Sequence, residues 1–342
     1  MFAVISKAHI ASKAAFALKT ITRNASKLRR VGIIGAPFSK AQLTEGTNLA
    51  PQLFRKHGLL QHIESIGCNL TDFGDLTLDF KKGKNEKGET IEIKHAKCVT
   101  KAIEKLSQTV TDCIKSDAIA LTIGGDNLLS LGTIRGHQRC HEKICVLWID
   151  AHTDLKTLEC SEDSNLNEMS VSLLINEINQ KYNIGAKDLQ TLSKISPCID
   201  ASSIVYIGLR AVSPFEAKLL EDFNIPYFSM RDIDKLGIFE VTSRAFDKVN
   251  PHLNKSIHIS FDIDSIDRFF APSTSNPIPG GLTLREALSI GEQVANTKLL
   301  RALDVMEVNP LVGTETDINN TIDVSINLIL AFLGKGRKYY FT

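Results

Sequence analysis

Residues 146–154 of this 342-residue chain are Val-Leu-Trp-Ile-Asp-Ala-His-Thr-Asp, and they decide its fold. The apolar first half predicts a buried strand, and the second half is an Asp-x-His-x-Asp motif. Alternate side chains of an extended segment point to one face, so we expect Asp150, His152 and Asp154 to crowd together where the strand leaves the core. Such groups repel or desolvate one another unless a cation lies among them. The stretch therefore predicts a metal site.

A second predicted strand ends in the same way. Residues 257–264 are Ile-His-Ile-Ser-Phe-Asp-Ile-Asp, which places Asp262 and Asp264 on one face. The two strand ends offer four carboxylates and one imidazole, a set that suits Mn²⁺ and, less clearly, Mg²⁺ or Fe²⁺. Four carboxylates exceed the charge of one divalent ion, so two ions with bridging carboxylates and a shared hydroxide are expected. For one such motif alone, the alternative is a polar capping turn.

Strands and helices alternate along the chain. Apolar segments predict strands at residues 31–35, 69–73, 118–123, 144–149, 203–209, 226–228, 257–261 and 300–305. Helical patterns lie at residues 50–66, 91–116, 128–138, 168–180, 214–223, 241–249, 284–295 and 318–333, and the charged residues 79–89 indicate a surface loop. This order predicts a single α/β domain with a mostly parallel central sheet of about eight strands and helices on both faces. Ligands collect at the carboxyl ends of such strands, where both acidic motifs lie.

The composition excludes several classes of protein. A net charge of +1 gives no reason to expect a nucleic-acid partner. The seven cysteines are scattered and odd in number, which favours free thiols in a reducing compartment over a disulfide framework. No apolar run approaches the roughly 20 residues that span a bilayer, so no membrane partner is expected.

The N-terminal residues 1–30 have a composition of their own. They contain seven basic residues and no acidic one, the first carboxylate being Glu45, and they are rich in Ala, Ser and Thr. This composition is typical of a mitochondrial transit peptide, which predicts a matrix location. The alternatives are an ordinary basic helix or tail on a cytoplasmic protein.

Seven motifs of the chain belong together: Gly32-Ile33-Ile34-Gly35-Ala36-Pro37-Phe38-Ser39-Lys40, Gly124-Gly125-Asp126, Asp150-Ala151-His152-Thr153-Asp154, Val205-Tyr206-Ile207-Gly208-Leu209-Arg210, Ser260-Phe261-Asp262-Ile263-Asp264, Pro277-Ile278-Pro279-Gly280-Gly281-Leu282-Thr283 and Met306-Glu307-Val308-Asn309-Pro310. With them the chain resembles the arginases of the ureohydrolase family over residues 31–337, with residues 338–342 as a short tail. The resemblance implies an arginase/deacetylase-like fold and hydrolysis of L-arginine to L-ornithine and urea.

The resemblance also assigns roles to residues. It implies two Mn²⁺ ions, bridged by Asp150 and Asp262, with Asp154 completing one shell and His152 with Asp264 the other. A metal-bound hydroxide would attack the guanidinium carbon, Asp154 would help to move a proton to the leaving amine, and Glu307 would hydrogen-bond the guanidinium. The family is typically homotrimeric, and the positions that match its subunit contacts are Arg285, Glu286 and Arg337.

The chain departs from the family at its active site. Asn127 stands where the family has a histidine ligand, and a carboxamide oxygen is a weaker donor, so one of the two ions is expected to be weak or absent. Asn167 replaces a histidine thought to shuttle protons. The other departures lie among the substrate-binding positions, namely Lys156 for asparagine, Asp163 for serine, Ala211 and Ser213 for two aspartates, and Asn276 for threonine. The residues expected to bind the guanidinium end of the substrate are thus kept, and those expected to bind its amino-acid end are changed.

Three functions follow from this pattern. The first is a manganese-dependent arginase with weakened activity, favoured by the five retained ligand positions and Glu307. The second is a hydrolase of another guanidino compound, favoured by Lys156, Asp163 and Ser213. The third is a non-catalytic arginase-like protein, favoured by Asn127 and Asn167. The remaining candidates for replacement ligands, His137, His141 and His258, are interpreted as surface or core residues.

Overall fold

The structure, a computed structural model, describes residues 28–39, 41, 44–77, 96–157, 165–182 and 196–337. The strands are β1 Arg30–Gly35, β2 Asn69–Asp75, β3 Ile119–Ile123, β4 Ile144–Ile149, β5 Ile204–Leu209, β6 Tyr227–Ser229, β7 Ser256–Asp262 and β8 Leu300–Met306. They form one sheet in the order β2-β1-β3-β8-β7-β4-β5-β6, and every neighbouring pair is parallel. The predicted α/β class and the eight-stranded parallel sheet are confirmed.

Eleven α-helices accompany the sheet in the described part of the chain. They are α1 Ala50–Lys56, α2 Leu59–Ser65, α3 Ala96–Lys115, α4 Ser130–Gln138, α5 Ser170–Leu174, α6 Asn176–Tyr182, α7 Pro214–Asp222, α8 Met230–Leu236, α9 Ile238–Val249, α10 Leu284–Thr297 and α11 Glu315–Phe332. Within that part of the chain, no helix has the length and apolarity that crossing a bilayer requires.

Side chains that alternate along each strand give the sheet two apolar faces. On β4, Val146 and Trp148 pack against one core, which α3 to α7 cover, while Leu147 and Ile149 pack against the other. Helices α1, α2 and α8 to α11 contribute to that second core. Because both faces of the central strands are buried, those strands are mostly apolar, whereas the edge strand β2 is largely exposed and carries polar residues. His258 and Asp304 are buried polar exceptions inside β7 and β8.

The order of the strands brings the polar motifs to one edge. Strand β7 lies between β4 and β8, with Ile149 paired to Phe261 and Asp262 paired to Met306. The residues that follow β3, β4 and β8 therefore meet Asp262 at the carboxyl edge of the sheet. This placement is the one that parallel α/β sheets use for ligands.

The predicted helices differ from the observed ones in three places. The helix expected over residues 50–66 is two helices, because Gly58 takes a left-handed conformation with φ of 76° between them. The helix expected over residues 168–180 is interrupted at Ile175, which bridges to Ile199. Helix α8, which Ser229 and Asp232 cap reciprocally, was not predicted. The expected loop at residues 79–89 and the start of the helix expected from residue 91 lie outside the described residues.

Candidate metal centre

The carboxylates expected to bind a metal lie together at the carboxyl edge of the sheet. Asp150 follows β4, Asp262 ends β7, and Asp264 lies in the 3-10 turn Ile263–Ser265. These three and Asp154 are buried, none being more than 7% exposed. Asp154 has a φ of 50°, a left-handed conformation that an Asp adopts more readily than most residues. Four acidic groups are therefore held out of water in one place.

One half of the cluster surrounds His152. Its Nδ1 lies 3.1 Å from Asp264 Oδ2 and 3.4 Å from Asp150 Oδ1, and its backbone N–H donates to Asp150 Oδ1 at 2.7 Å. One ligand atom from each of these three residues lies within 4.8 Å of the others. On the outer side, Nε2 of His152 lies 3.0 Å from the amide nitrogen of Asn276. This half has the spacing and the donor types of a divalent-ion site.

The other half of the cluster contains Asn127, which begins a 3-10 turn after β3. Its amide nitrogen donates to Asp150 Oδ2 at 3.1 Å and to Asp154 Oδ2 at 2.8 Å. Its carbonyl Oδ1 accepts from the hydroxyl of Ser130 at 3.2 Å. Trp148 donates from its indole nitrogen to the same Asp150 Oδ2 at 3.0 Å. In this arrangement Asn127 presents hydrogens, not lone pairs, to the carboxylates.

Glu307 lies beside the cluster, directly after β8. Its φ of 65° is left-handed, and its backbone N–H donates to the carbonyl of Gly125 at 3.0 Å. A Cβ at Gly125 would lie 1.6 Å from the Phe38 carbonyl oxygen, so this turn tolerates only glycine. Glu307 Oε1 accepts from the Asn127 backbone at 2.8 Å and from the Asn167 side chain at 3.0 Å. The Gly124-Gly125-Asp126 motif thus serves to position this carboxylate.

Burial and mutual repulsion change the acidity of the group. Burial and the Asp264 charge raise the pKa of Asp150 to about 6. Burial and the charge of Asp150 raise the pKa of Asp154 well above its usual range. Burial and the charge of Asp264 do the same for the pKa of Asp262. Burial lowers the pKa of His152, but hydrogen bonds to Asp150 and Asp264 outweigh it and raise that pKa to about 11. Burial raises the pKa of Glu307 to about 7 against its two amide donors.

A cavity of about 510 Å³ opens above the cluster. His152, Asp154, Asp262, Asp264 and Glu307 line its inner part. The substrate-binding candidates that line it as well are Lys156, Asn167, Ser213 and Asn276, with Ala211 beside them. Asp163 lies outside the described residues. Except for Asp163, the substrate-binding candidates are thus gathered at the same cavity as the acidic cluster.

Two features of the cavity wall were not predicted. The ammonium group of Lys156 lies 2.9 Å from Oε2 of Glu168, and the two side chains are 31% and 40% exposed. Ser213 is the N-cap of α7, where its hydroxyl donates to Glu216 at 2.6 Å in a capping box. Glu168 directly follows Asn167, but no sequence rule pairs it with Lys156. Glu216 could have been recognised from the Ser-x-x-Glu capping pattern.

The other histidines do not join the centre. His137 and His258 are fully buried beneath the sheet edge, with their Nδ1 atoms 3.2 Å apart. His258 Nε2 also lies 2.8 Å from Oδ2 of the buried Asp304. These two are core residues, as expected, and they belong to a separate polar network between α4 and the strands.

Comparisons with known proteins find similar proteins along most of the chain. A sequence model described as the arginase family matches residues 29–334. The chain is 40% identical over 314 residues to "Arginase-1" of Bos taurus, covering 92% of this chain and 95% of that protein. It is 40% identical over 309 residues to "Arginase-2, mitochondrial" of Homo sapiens, covering 90% and 86%. Among solved structures, arginase from Bacillus caldovelox superposes with a TM-score of 0.80 at 27% identity, covering 91% and 99%.

Proposed function

The chain belongs to the arginase family, and from that premise we propose that it hydrolyses L-arginine to L-ornithine and urea with manganese, at a reduced rate. The observation that carries the proposal is the inner end of the cavity. Glu307 lines it together with His152, Asp154, Asp262 and Asp264. A carboxylate for the guanidinium and donors for a divalent ion therefore face one space.

The donor set fits a hard divalent ion. Carboxylate oxygens with a single imidazole suit Mn²⁺. An ion among them would offset the burial and the mutual repulsion that raise the pKa of Asp150, Asp154 and Asp262. Asp150, His152 and Asp264 would hold it most directly. The chemistry supplied when such an ion is bound is the ionisation of water near neutral pH.

The protein side chains supply orientation and proton transfer. A guanidinium is resonance-stabilised and a weak electrophile, so it must be held in line with the attacking group. Among the described residues, both hydrogen bonds to Glu307 end on Oε1, which leaves Oε2 for a guanidinium N–H. Asp154 lines the same space and is placed to carry a proton to the leaving nitrogen.

The outer end of the cavity is built for opposite charges. Lys156 and Glu168 form an ion pair there, and an α-amino acid carries the complementary carboxylate and ammonium groups. The Lys156 ammonium can donate to the substrate carboxylate, and the Glu168 carboxylate can accept from the substrate ammonium. One half-exposed ion pair would then be replaced by two. This exchange supports arginine although the family's own recognition residues are changed.

A second candidate function is hydrolysis of another guanidino compound. Ser213 is committed to the cap of α7, and Ala211 has no polar group, so neither position can bind an α-ammonium as an aspartate would. If Glu168 stays paired with Lys156, the wall offers only a weak ammonium site. A guanidino acid without an α-amino group would then be the better substrate.

Urea release from three substrates tests these alternatives. Full-length protein dialysed against Mn²⁺ is expected to hydrolyse L-arginine faster than agmatine, which lacks the carboxylate, or 4-guanidinobutyrate, which lacks the amine. Each lost ion pair should lower kcat/KM by up to about fivefold, the value of an exposed pair. Preference for 4-guanidinobutyrate would establish the second candidate. Absence of urea from all three would leave the non-catalytic interpretation and overturn the proposal.

Matched variants test which group of the substrate Lys156 and Glu168 each bind. Lys156→Met should lower kcat/KM for arginine and 4-guanidinobutyrate but not for agmatine, because only the first two substrates have a carboxylate. Glu168→Gln should lower kcat/KM for arginine and agmatine but not for 4-guanidinobutyrate, which has no amine. Equal effects of both variants on all three substrates would show that the pair only shapes the wall.

We also propose a mitochondrial matrix location, with residues 1–30 as the transit peptide of a catalytic domain over residues 31–337. The basic, acid-free composition of residues 1–30 supports it, and the human relative carries the word mitochondrial in its name. Residues 1–27 lie outside the described residues. A fusion of residues 1–35 to a fluorescent reporter is expected to enter mitochondria, and a cytosolic reporter would favour the cytoplasmic alternative.

The proposed assembly is a homotrimer, as the resemblance implies. Within one chain, Arg337 pairs with Glu292 at 2.7 Å and Glu286 caps its own helix α10. Arg285 contributes its backbone carbonyl to Arg337 at 3.5 Å. These contacts order the surface that would meet a neighbouring subunit, and light scattering should give the mass of three chains. A monomer mass would overturn the assignment.

A further inference from the structure

We propose that the Asn127 carboxamide takes the place of one of the two ions of the family site, so that this chain binds a single divalent ion among Asp150, His152 and Asp264. The inference rests on the proposed function only in requiring a divalent ion at the cluster. It deepens that proposal by stating how many ions the cluster holds and what replaces the other.

The first support is the anchoring of the Asn127 side chain. Both hydrogens of its amide nitrogen are engaged, one by Asp150 Oδ2 at 3.1 Å and one by Asp154 Oδ2 at 2.8 Å. Its carbonyl oxygen is turned toward the hydroxyl of Ser130, 3.2 Å away. The residue is 1% exposed, and its backbone N–H is held by Glu307. Every polar group of Asn127 that faces the cluster therefore already has a partner.

The orientation of the amide follows from the chemistry of its neighbours. Ionised carboxylates only accept hydrogen bonds, whereas a serine hydroxyl can donate one. A flipped amide would set its carbonyl oxygen against two carboxylate oxygens and its N–H groups against the hydroxyl alone. The observed orientation is thus the one that satisfies all three neighbours, and it presents no lone pair to an ion.

The second support is that the two carboxylate oxygens of Asp150 have different partners. Oδ2 receives hydrogen bonds from Asn127 and from the indole of Trp148, at 3.1 and 3.0 Å. Oδ1 lies on the other side, with the backbone and ring of His152. An ion on the Oδ1 side would displace the ring proton of His152, whose Nδ1 then becomes a ligand, and would leave Asn127 in place. An ion on the Oδ2 side would compete with the N–H groups of Asn127 and Trp148, which cannot become ligands, so the two positions are unequal.

The third support is electrostatic. The two amide hydrogens place partial positive charge between Asp150 and Asp154 and so reduce the repulsion between the two carboxylates. In a two-ion site, a metal ion at this position would reduce that repulsion. One divalent ion and one amide then share the neutralisation of four carboxylates with His152. The carboxylates remain useful in this chain even though one ion is absent.

Metal stoichiometry tests the inference without relying on activity. Full-length protein is freed of metal with a chelator, titrated with Mn²⁺ in a calorimeter, and assayed for bound Mn²⁺ after dialysis. We expect one equivalent for the wild type and the electron paramagnetic resonance spectrum of an isolated Mn²⁺. Asn127→His should bind two equivalents and give the spectrum of a coupled pair. Its second site should bind at least about 10- to 100-fold more tightly than any second event in the wild type, since even an outer-shell change has that effect.

Two further variants serve as controls for the Asn127→His result. Asn127→Asp has the same shape and puts a ligand oxygen where the N–H was, so it should also gain a second equivalent if the histidine variant folds poorly. Asn167→His changes a carboxamide that contacts Glu307 but neither Asp150 nor Asp154, and it should stay at one equivalent.

The outcomes separate this inference from the proposed function. Two tight equivalents with a coupled spectrum in the wild type would overturn the inference, whether or not urea is released. No bound Mn²⁺ would overturn it as well. One equivalent without urea from any guanidino compound would uphold the single-ion site and overturn the proposed activity.

Discussion

Glu307→Gln is expected to lower kcat/KM for the guanidino substrate by about 10²- to 10³-fold, the usual cost of losing one oriented electrostatic contact to the reacting group. The glutamine can keep its carbonyl oxygen where Glu307 Oε1 accepts from Asn127 and Asn167. Its amide nitrogen must then face the cavity. A guanidinium carries only donors, so an attractive contact becomes a repulsive one while the local structure is preserved.

The measurement is steady-state urea release, with Mn²⁺ binding determined on the same sample. The stoichiometry should not change, because Glu307 is not among the three residues that would hold the ion. Glu168→Gln is the matched control, since it makes the same substitution on the outer wall of the cavity. We expect it to lose no more than about fivefold for arginine. Retention of more than a tenth of the activity by Glu307→Gln would exclude Glu307 as the guanidinium contact.

The sheet could be predicted because its signals are local. Most strands are short apolar runs bounded by polar residues, and burial on both faces of the central strands makes such runs conspicuous. The helix breaks were less visible. Gly58 ends a helix because it adopts a left-handed conformation, yet glycine is also tolerated inside helices. Ile175 interrupts a helix through a bridge to Ile199, a contact that no local pattern contains.

The sequence predicted which acidic side chains lie together, but not the backbone that brings them together or the orientation of Asn127. An extended segment was expected after each strand, whereas Asp154 takes a left-handed conformation with φ of 50° and Asp264 lies in a 3-10 turn. Strand order brings Asp262 and Asp264 to Asp150. The direction of the Asn127 amide depends on partners from three different segments, Asp150, Asp154 and Ser130. A sequence shows that histidine is replaced, but only the packed structure shows that the replacement donates where the family's residue would coordinate.

Without metal, the protein is expected to become less stable as pH rises toward neutrality. In the metal-free protein the pKa of Asp150 is raised to about 6 and that of Glu307 to about 7, so the folded state keeps protons that the unfolded state loses near pH 4. The free energy of unfolding must then fall as pH rises from about 4 to 7. A shift of two pKa units corresponds to about 3 kcal/mol. His152 acts in the same direction, because its proton stabilises the folded state below pH 6.5 and is lost toward pH 11.

A bound ion works against this trend, because its ligands must be deprotonated and its affinity therefore increases with pH. At 100 times its dissociation constant it adds about 2.7 kcal/mol to the free energy of unfolding. We expect the difference in Tm between Mn²⁺-loaded and chelator-treated protein to widen steadily from pH 5 to pH 8. Thermal unfolding at four pH values measures it.

Asp262→Asn provides the control for this experiment. The buried carboxyl of Asp262 accepts the Asp264 backbone N–H through Oδ1, an acceptor that asparagine retains. Burial and the Asp264 charge raise the pKa of Asp262, so its removal takes one titrating group out of the cluster. The metal-free variant should therefore lose less stability than the metal-free wild type as pH rises. If the metal-free wild type instead became more stable toward pH 8, the four carboxylates could not be crowded and buried as the structure places them. The case for a cation at this edge of the sheet would fail with them.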